Sequence, residues 1–249
     1  MGWIRLSERG KIPTNAKYYN PRVAFDGVHW YISVGFEVNS QTTALTQNSL
    51  GIDVGVKHLA VCSNGKIYPN INQTKRVKKL EKRLRRLQRK CSRKYEMNKI
   101  QEKGGKFRYV KTRNITKLEK QIQKLRVRIT NIREDYEHKV SNELVRTKPA
   151  RIVMEDLNIK GMMKNRHLSK AIQDQRLYAF KQKIKYKCEM YGIEFIEADP
   201  WYPSSKTCSA CGHVKKTLTL SERIFVCDAC GISIDRDLNA SINLSKYTA

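Results

Sequence analysis

The spacing of apolar positions along this chain changes several times, and each change marks an element. Over residues 20–38, His29, Tyr31 and Ser33 alternate with Trp30, Ile32 and Val34, the period of a half-buried strand. The runs RVAF and VHWYISVGFEV flank Asp26-Gly27, a pair that favours a tight hairpin turn. Residues 39–48 are polar and read as a linker. GIDVGV, HLAVCS and KIYPN follow as three short strands, with Asn64-Gly65 turning between the last two. The period then lengthens. Val77, Leu80, Leu84, Leu87 and Cys91 form one heptad seam, predicting a helix over 74–101. Ile115, Leu118, Ile122, Leu125, Ile129, Ile132, Tyr136 and Val140 form another, predicting a helix over 113–146. A short loop holding Gly104-Gly105 joins them, so they should fold back as an antiparallel hairpin. After Pro149 come a buried strand, ARIVMEDLN, and a mobile loop over 160–168. A helix over 171–191 closed by Gly192, a strand IEFIEAD and a short final helix DLNASINLSKY complete the chain. Strands interspersed with helices predict an α/β fold.

Charge changes this picture most. Fifty Lys and Arg stand against 23 Asp and Glu, a formal net charge of +27. Such an excess repels itself unless a polyanion shares the surface, and nucleic acid is the obvious one. The basic residues crowd the outer face of the first long helix, where only Glu81 interrupts Lys75 to Lys94. Lys79, Arg83, Arg86, Arg89 and Lys90 are the candidate phosphate contacts. The start, MGWIRLSERGK, has no apolar core of the signal-peptide kind, and no run of ~18 apolar residues could span a membrane. No membrane role is therefore expected.

Three features carry chemistry. Asp53 lies inside an apolar strand and Glu155 ends another, and a carboxylate in such a place needs a partner or a metal. Asp235 and Asp237 precede the final helix, and either could supply a third carboxylate, although Asp235 also suits a helix cap. Asp156 should face the opposite side of its strand from Glu155. Three such carboxylates suit Mg²⁺, and a pair of these ions suits phosphodiester hydrolysis. Cys208 and Cys211, then Cys227 and Cys230, form two knuckles, each followed by glycine. Four thiolates so spaced predict a closed, structural Zn²⁺ site in a reducing compartment.

GIDVGVKHLAV, IVMEDLNIKGM and DRDLNASINL resemble the three RuvC motifs of the TnpB (OrfB) proteins of bacterial insertion sequences. WYPSSKTCSACG and LTLSERIFVCDACG resemble the zinc ribbon placed before the third motif in that family. The resemblance implies an RNase H-like (RuvC) domain over 49–206 and 232–249. Its helical hairpin insert would be 74–146 and its zinc ribbon 207–231, with 1–48 a remnant of a wedge-type β-barrel. It implies Asp53, Glu155 and Asp237 as catalytic, Mg²⁺-binding acids. It also implies RNA-guided DNA cleavage in the bacterial cytoplasm, at the nucleoid, with a guide RNA from the transposon end and target DNA as partners. Only about 48 residues precede the first motif, where the family carries most of its recognition parts. A nuclease-inactive nucleic-acid-binding remnant or regulator is thus the alternative. A transposase that transfers DNA strands is another.

Overall fold

The computed structural model describes residues 5–8, 10, 12–37, 44–219 and 221–248. Residues 39–43 of the expected linker over 39–48 lie outside them. The chain divides into two compact units, one formed by Met1–Asn39 with Leu87–Val127 and the other by Ser40–Arg86 with Arg128–Ala249.

In the first unit, β1 (Tyr18–Phe25) and β2 (Trp30–Phe36) pair as an antiparallel hairpin. The turn is set as expected. Asp26 Oδ1 accepts the Val28 and His29 amides at 2.7 Å each, and Gly27 takes φ +88°. The unit also holds the facing ends of the two long helices, α1 (Lys75–Met97) and α2 (Arg113–Arg146). Here α1 stops short of the expected residue 101. Asn98 Nδ2 donates to the Lys94 carbonyl at 2.6 Å, closing the helix end. The following residues form a small hairpin, β6 (Lys99–Gln101) and β7 (Phe107–Tyr109), over Gly104 and Gly105 at φ +92° and +78°. Tyr95 donates to Glu119 at 2.6 Å in this unit. In the other unit Arg133 pairs with Glu81 at 2.9 Å. Each pair ties α1 to α2 within its own unit. Cys91, Ile115, Leu118, Ile122 and Leu125 are buried on the predicted seams.

The second unit is built on a five-stranded sheet. Its strands are β3 (Ser49–Val54), β4 (His58–Cys62), β5 (Ile67–Pro69), β8 (Arg151–Glu155) and β9 (Glu194–Ala198), in the order β5-β4-β3-β8-β9. The first three are antiparallel neighbours, while β8 and β9 run parallel to β3. That order and sense are those of an RNase H-like fold. Leu50, Ile52, Ile152 and Met154 face a core shared with Val140 and Leu144 of α2 and Leu177, Phe180 and Ile184 of α5 (Leu177–Tyr191). Period two therefore turns Gly51, Asp53, Val153 and Glu155 to the other face. There Val153 packs with Leu244 of α6 (Arg236–Ser245).

Gly51 decides how closely α6 can approach. A Cβ there would sit 2.0 Å from the Ser241 carbonyl oxygen and 2.4 Å from the Ser245 nitrogen. Gly51→Ala should therefore destabilise by about 1–3 kcal/mol and lower the melting temperature by roughly 3–10 °C. An unchanged melting curve would mean that α6 does not rest on the strand.

Two expectations need correction. Residues 160–168 are not simply a loop, because Asn158 Oδ1 accepts the Gly161 amide at 2.9 Å and caps a short helix, α3 (Ile159–Met162). The helix expected over 171–191 is two, α4 (Ser169–Gln175) and α5, broken where Arg176 turns left-handed at φ 54°. Arg176 is held there by Glu134 and Glu137 of α2, at 2.8 and 3.4 Å. Gly192 does close α5, at φ 69°. The short strands β10 (Ile224–Val226) and β11 (Ser233–Asp235) pair beside the cysteines.

Candidate functional site

Asp53 and Glu155 sit at corresponding points of adjacent parallel strands. Ile52 pairs with Met154 in register, so the next residue on each strand carries a carboxylate to the face covered by α6. Asp237 lies in the first turn of α6. Asp235 plays the other role weighed for it, accepting the Asp237 and Leu238 amides at 3.0 and 3.1 Å as the helix cap. All three acids are half-buried. Burial pushes the Asp53 carboxyl well above its ordinary range, and the neighbouring charges of Asp237 and Glu155 push it further. Burial also raises Glu155. Arg236 contributes the compensating charge, its guanidinium lying 3.1 Å from Asp237 and opposing the rise at Asp53. Residues 102 and 184 positions after the first acid thus lie within electrostatic reach of it, on the side of the sheet that α6 covers. Their carboxylate oxygens do not all lie within 4.8 Å of one another, and the donors they offer are oxygens, the kind Mg²⁺ takes.

Asp156 points away, as alternation requires. It pairs with Lys181 of α5 at 2.8 Å, and Lys181 also meets Glu197 of β9 at 2.5 Å. This triad ties the ends of β8 and β9 to α5 and was not visible in the sequence.

The four knuckle cysteines converge. Cys208 and Cys230 Sγ lie 3.6 Å apart, as do Cys211 and Cys227. A tetrahedron with ~2.3 Å metal–sulfur bonds has sulfurs ~3.8 Å apart, so the set fits Zn²⁺. Among the described residues, these four make up the single group of three or more His, Cys, Asp or Glu whose ligand atoms all lie within 4.8 Å of one another. The Cys230 and Ala229 amides point at Cys227 Sγ and help hold its thiol down to about 6. Gly212 and Gly231 turn each knuckle at φ 77° and 73°.

The ribbon is fastened to the acid-bearing helix by two buried asparagines that sequence reasoning passed over. Asn239 Nδ2 donates to the Thr207 carbonyl at 2.7 Å, and its Oδ1 accepts the Ser209 amide at 2.9 Å. One turn on, Asn243 Nδ2 donates to the Ser204 and Thr207 carbonyls at 2.7 and 2.6 Å. Their four-residue spacing on a predicted helix was the available signal.

Lys79, Arg83, Arg86, Arg89 and Lys90 are all exposed on α1, and no described carboxylate pairs with them. No helix of the described residues is long and apolar enough to cross a membrane.

Comparisons agree with this construction. The OrfB_IS605 family model, described as that of a probable transposase, matches residues 31–166, more than half of the chain. The Cas12f1-like TNB domain model matches residues 178–244. A Streptomyces pristinaespiralis protein provisionally named an RNA-guided DNA endonuclease is 33% identical over 242 residues, covering 97% of this chain and 54% of that one. The CRISPR-associated endodeoxyribonuclease Cas12f1 of Sulfoacidibacillus thermotolerans is 33% identical over 224 residues, covering 87% and 50%. The chain spans about half the length of these curated relatives. Among solved structures, a CRISPR-Cas12f ternary complex matches the fold with a TM-score of 0.60 at 23% identity, over 87% of this chain and 42% of that one. With the motifs, the sheet order and the family model in agreement, the chain belongs to the OrfB (TnpB) family of insertion-sequence proteins.

Proposed function

We propose that the chain is the nuclease part of an RNA-guided DNA endonuclease, with Asp53, Glu155 and Asp237 as its catalytic acids. The observation that carries this reading is their meeting on one sheet face, close enough for the charges of Asp237 and Glu155 to resist ionisation of Asp53. Bound there, Mg²⁺ would supply an activated water and a counter-charge for the leaving 3′ oxygen of a phosphodiester. The protein's own part is to fix three carboxylates on two strands and a helix, so that little reorganises during reaction. Arg236 offsets their mutual repulsion. The four cysteines hold a structural Zn²⁺ that fixes the ribbon beside α6. The exposed bases of α1 grip a phosphate backbone, and base pairing with a guide RNA derived from the transposon end would read the target sequence. The bacterial cytoplasm, at the nucleoid, is the matching location. In domain terms, 49–206 with 232–249 form the nuclease, 74–146 its helical insert and 207–231 the ribbon, and 1–48 belong to a wedge-type β-barrel.

A second reading is a nucleic-acid-binding protein or regulator that does not cut, whose work is done by the exposed basic residues of α1. Co-purified RNA, once sequenced, supplies the guide for a matching DNA target. Guided, Mg²⁺-dependent hydrolysis of that DNA is expected. RNA retention with DNA left intact, under conditions where a full-length relative cuts, selects the second reading, and joined strands would indicate a transposase.

Reversing Arg83 and Arg86 to Glu should weaken duplex binding and lower the slope of log affinity against log salt by about 2. Binding titrations at several salt concentrations measure this. An unchanged slope would mean that these side chains do not face phosphate.

A further inference from the structure

Trp201 is 90% exposed, more than any other large apolar side chain of the described residues. Tryptophan is usually among the most buried residues of a folded chain. The exposure is not a consequence of a loose segment. Pro200 and Pro203 bracket the turn and restrict its backbone. Asp199 Oδ1 accepts the Trp201 amide at 2.7 Å, and the Asp199 carbonyl accepts the Tyr202 amide at 2.9 Å. The next side chain is anchored inward. Tyr202 donates to the Asn243 carbonyl at 3.3 Å and packs edge-on against Tyr247, with ring centroids 4.9 Å apart. The turn therefore presents one indole to solvent from a backbone fixed on both sides.

Its place relative to the acids follows from register. Glu155 pairs with Ala198 at the end of β9, and Trp201 is the third residue beyond Ala198. One strand spacing from Glu155 to Ala198 and three Cα steps to Trp201 together reach at most ~16 Å. That is the rise of about five stacked nucleotides. Lys206 lies on the same connection, and Lys216 follows on backbone joined to it by the Thr207–Val214 bridge. A preset aromatic face, within about five nucleotides of an acidic site and on a connection that carries lysine, suits an unpaired base.

We propose that Trp201 stacks on an unpaired base of the single DNA strand that enters the acidic site, and so is a substrate-positioning residue. The identity of that strand rests on the nuclease reading. The binding itself is tested without cleavage. In the full chain with Trp3→Phe and Trp30→Phe, Trp201 is the remaining indole. Its emission is followed while a thymidine 12-mer, a uridine 12-mer or a duplex is added without divalent ions. Saturating thymidine 12-mer should quench it strongly. Trp201→Ala should weaken binding of the thymidine strand about tenfold and leave duplex binding within twofold, and Trp201→Phe should retain most of the affinity. Zinc content should be the same in all variants, since the side chain is outside the fold. Unchanged emission at saturation, or equal affinity of Trp201→Ala, overturns the assignment. Quenching by the uridine strand alone overturns it as well, by assigning the indole to RNA. Retained quenching in a chain whose Asp53→Ala variant cleaves normally would sink the acidic site as the cutting centre and leave the stacking intact.

Discussion

Asp53→Asn should raise the melting temperature of the metal-free chain by a few degrees and lower Mg²⁺-dependent cleavage by on the order of a thousandfold. The two effects have opposite signs because one geometry causes both. Asp53 is held in a half-buried position against Asp237 and Glu155, where its charge is unfavourable. Asparagine removes that charge and keeps the volume. The same charge is what a divalent ion needs, so added Mg²⁺ should stabilise the wild type and not the variant. The pH dependence has a definite sign. Asp53 and Glu155 have folded-state pKa values above their unfolded ones, so the folded chain holds their protons more tightly. Their contribution is complete below the ordinary carboxylate range and is lost as pH rises through the raised values. Metal-free wild type should therefore lose stability from about pH 4 towards neutrality, less steeply in Asp53→Asn, and Mg²⁺ should reverse the loss. Thermal unfolding against pH, with and without Mg²⁺, measures all of this. A variant less stable than wild type, or one that still cuts, would remove the acidic site from the mechanism.

The second large effect belongs to zinc. Cys208→Ser combined with Cys211→Ser should take the metal content from about one zinc per chain to none, because two thiolates cannot close the site. The damage should reach the acids. β11 runs directly into α6, and Asn239 and Asn243 hold residues 204–209 against that helix. With the knuckles open, these amides lose their partners, and a buried unpaired amide costs about 1–3 kcal/mol. Asp237 sits two residues before Asn239 on that helix. The double variant should become protease-sensitive between residues 204 and 235 and lose cleavage, while the five-stranded sheet still melts cooperatively. Metal analysis and limited proteolysis check the first part. Full cleavage by a zinc-free chain would show that the ribbon does not support α6.

Periodicity located the long elements, because each buries one face and its apolar residues must recur with the backbone's own repeat, whereas the three-residue strands β6, β7, β10 and β11 and the four-residue helix α3 are too short to show one. The departures occur where a side chain from elsewhere sets the backbone. Arg176 breaks a helix whose local sequence is continuous, and the cause is a pair of glutamates 39 and 42 residues earlier on α2. Asn98 ends α1 before the expected residue 101, where the following glycines favour a hairpin.

The candidate site divides in the same way. The two knuckles were legible because zinc fixes short local spacings, and Asp53 and Glu155 because a carboxylate in an apolar strand is costly without a purpose. Alternation also sent Asp156 to the opposite face. The choice between Asp235 and Asp237 came from family pattern, and it is the tertiary structure that makes Asp235 a cap. Only the fold brings β3, β8 and α6 together, through a parallel register and a glycine that lets a helix lie directly on the strand. Residue order fixes which side of an element each group occupies. It carries no information about which other side will meet it, since that depends on packing between segments more than a hundred residues apart.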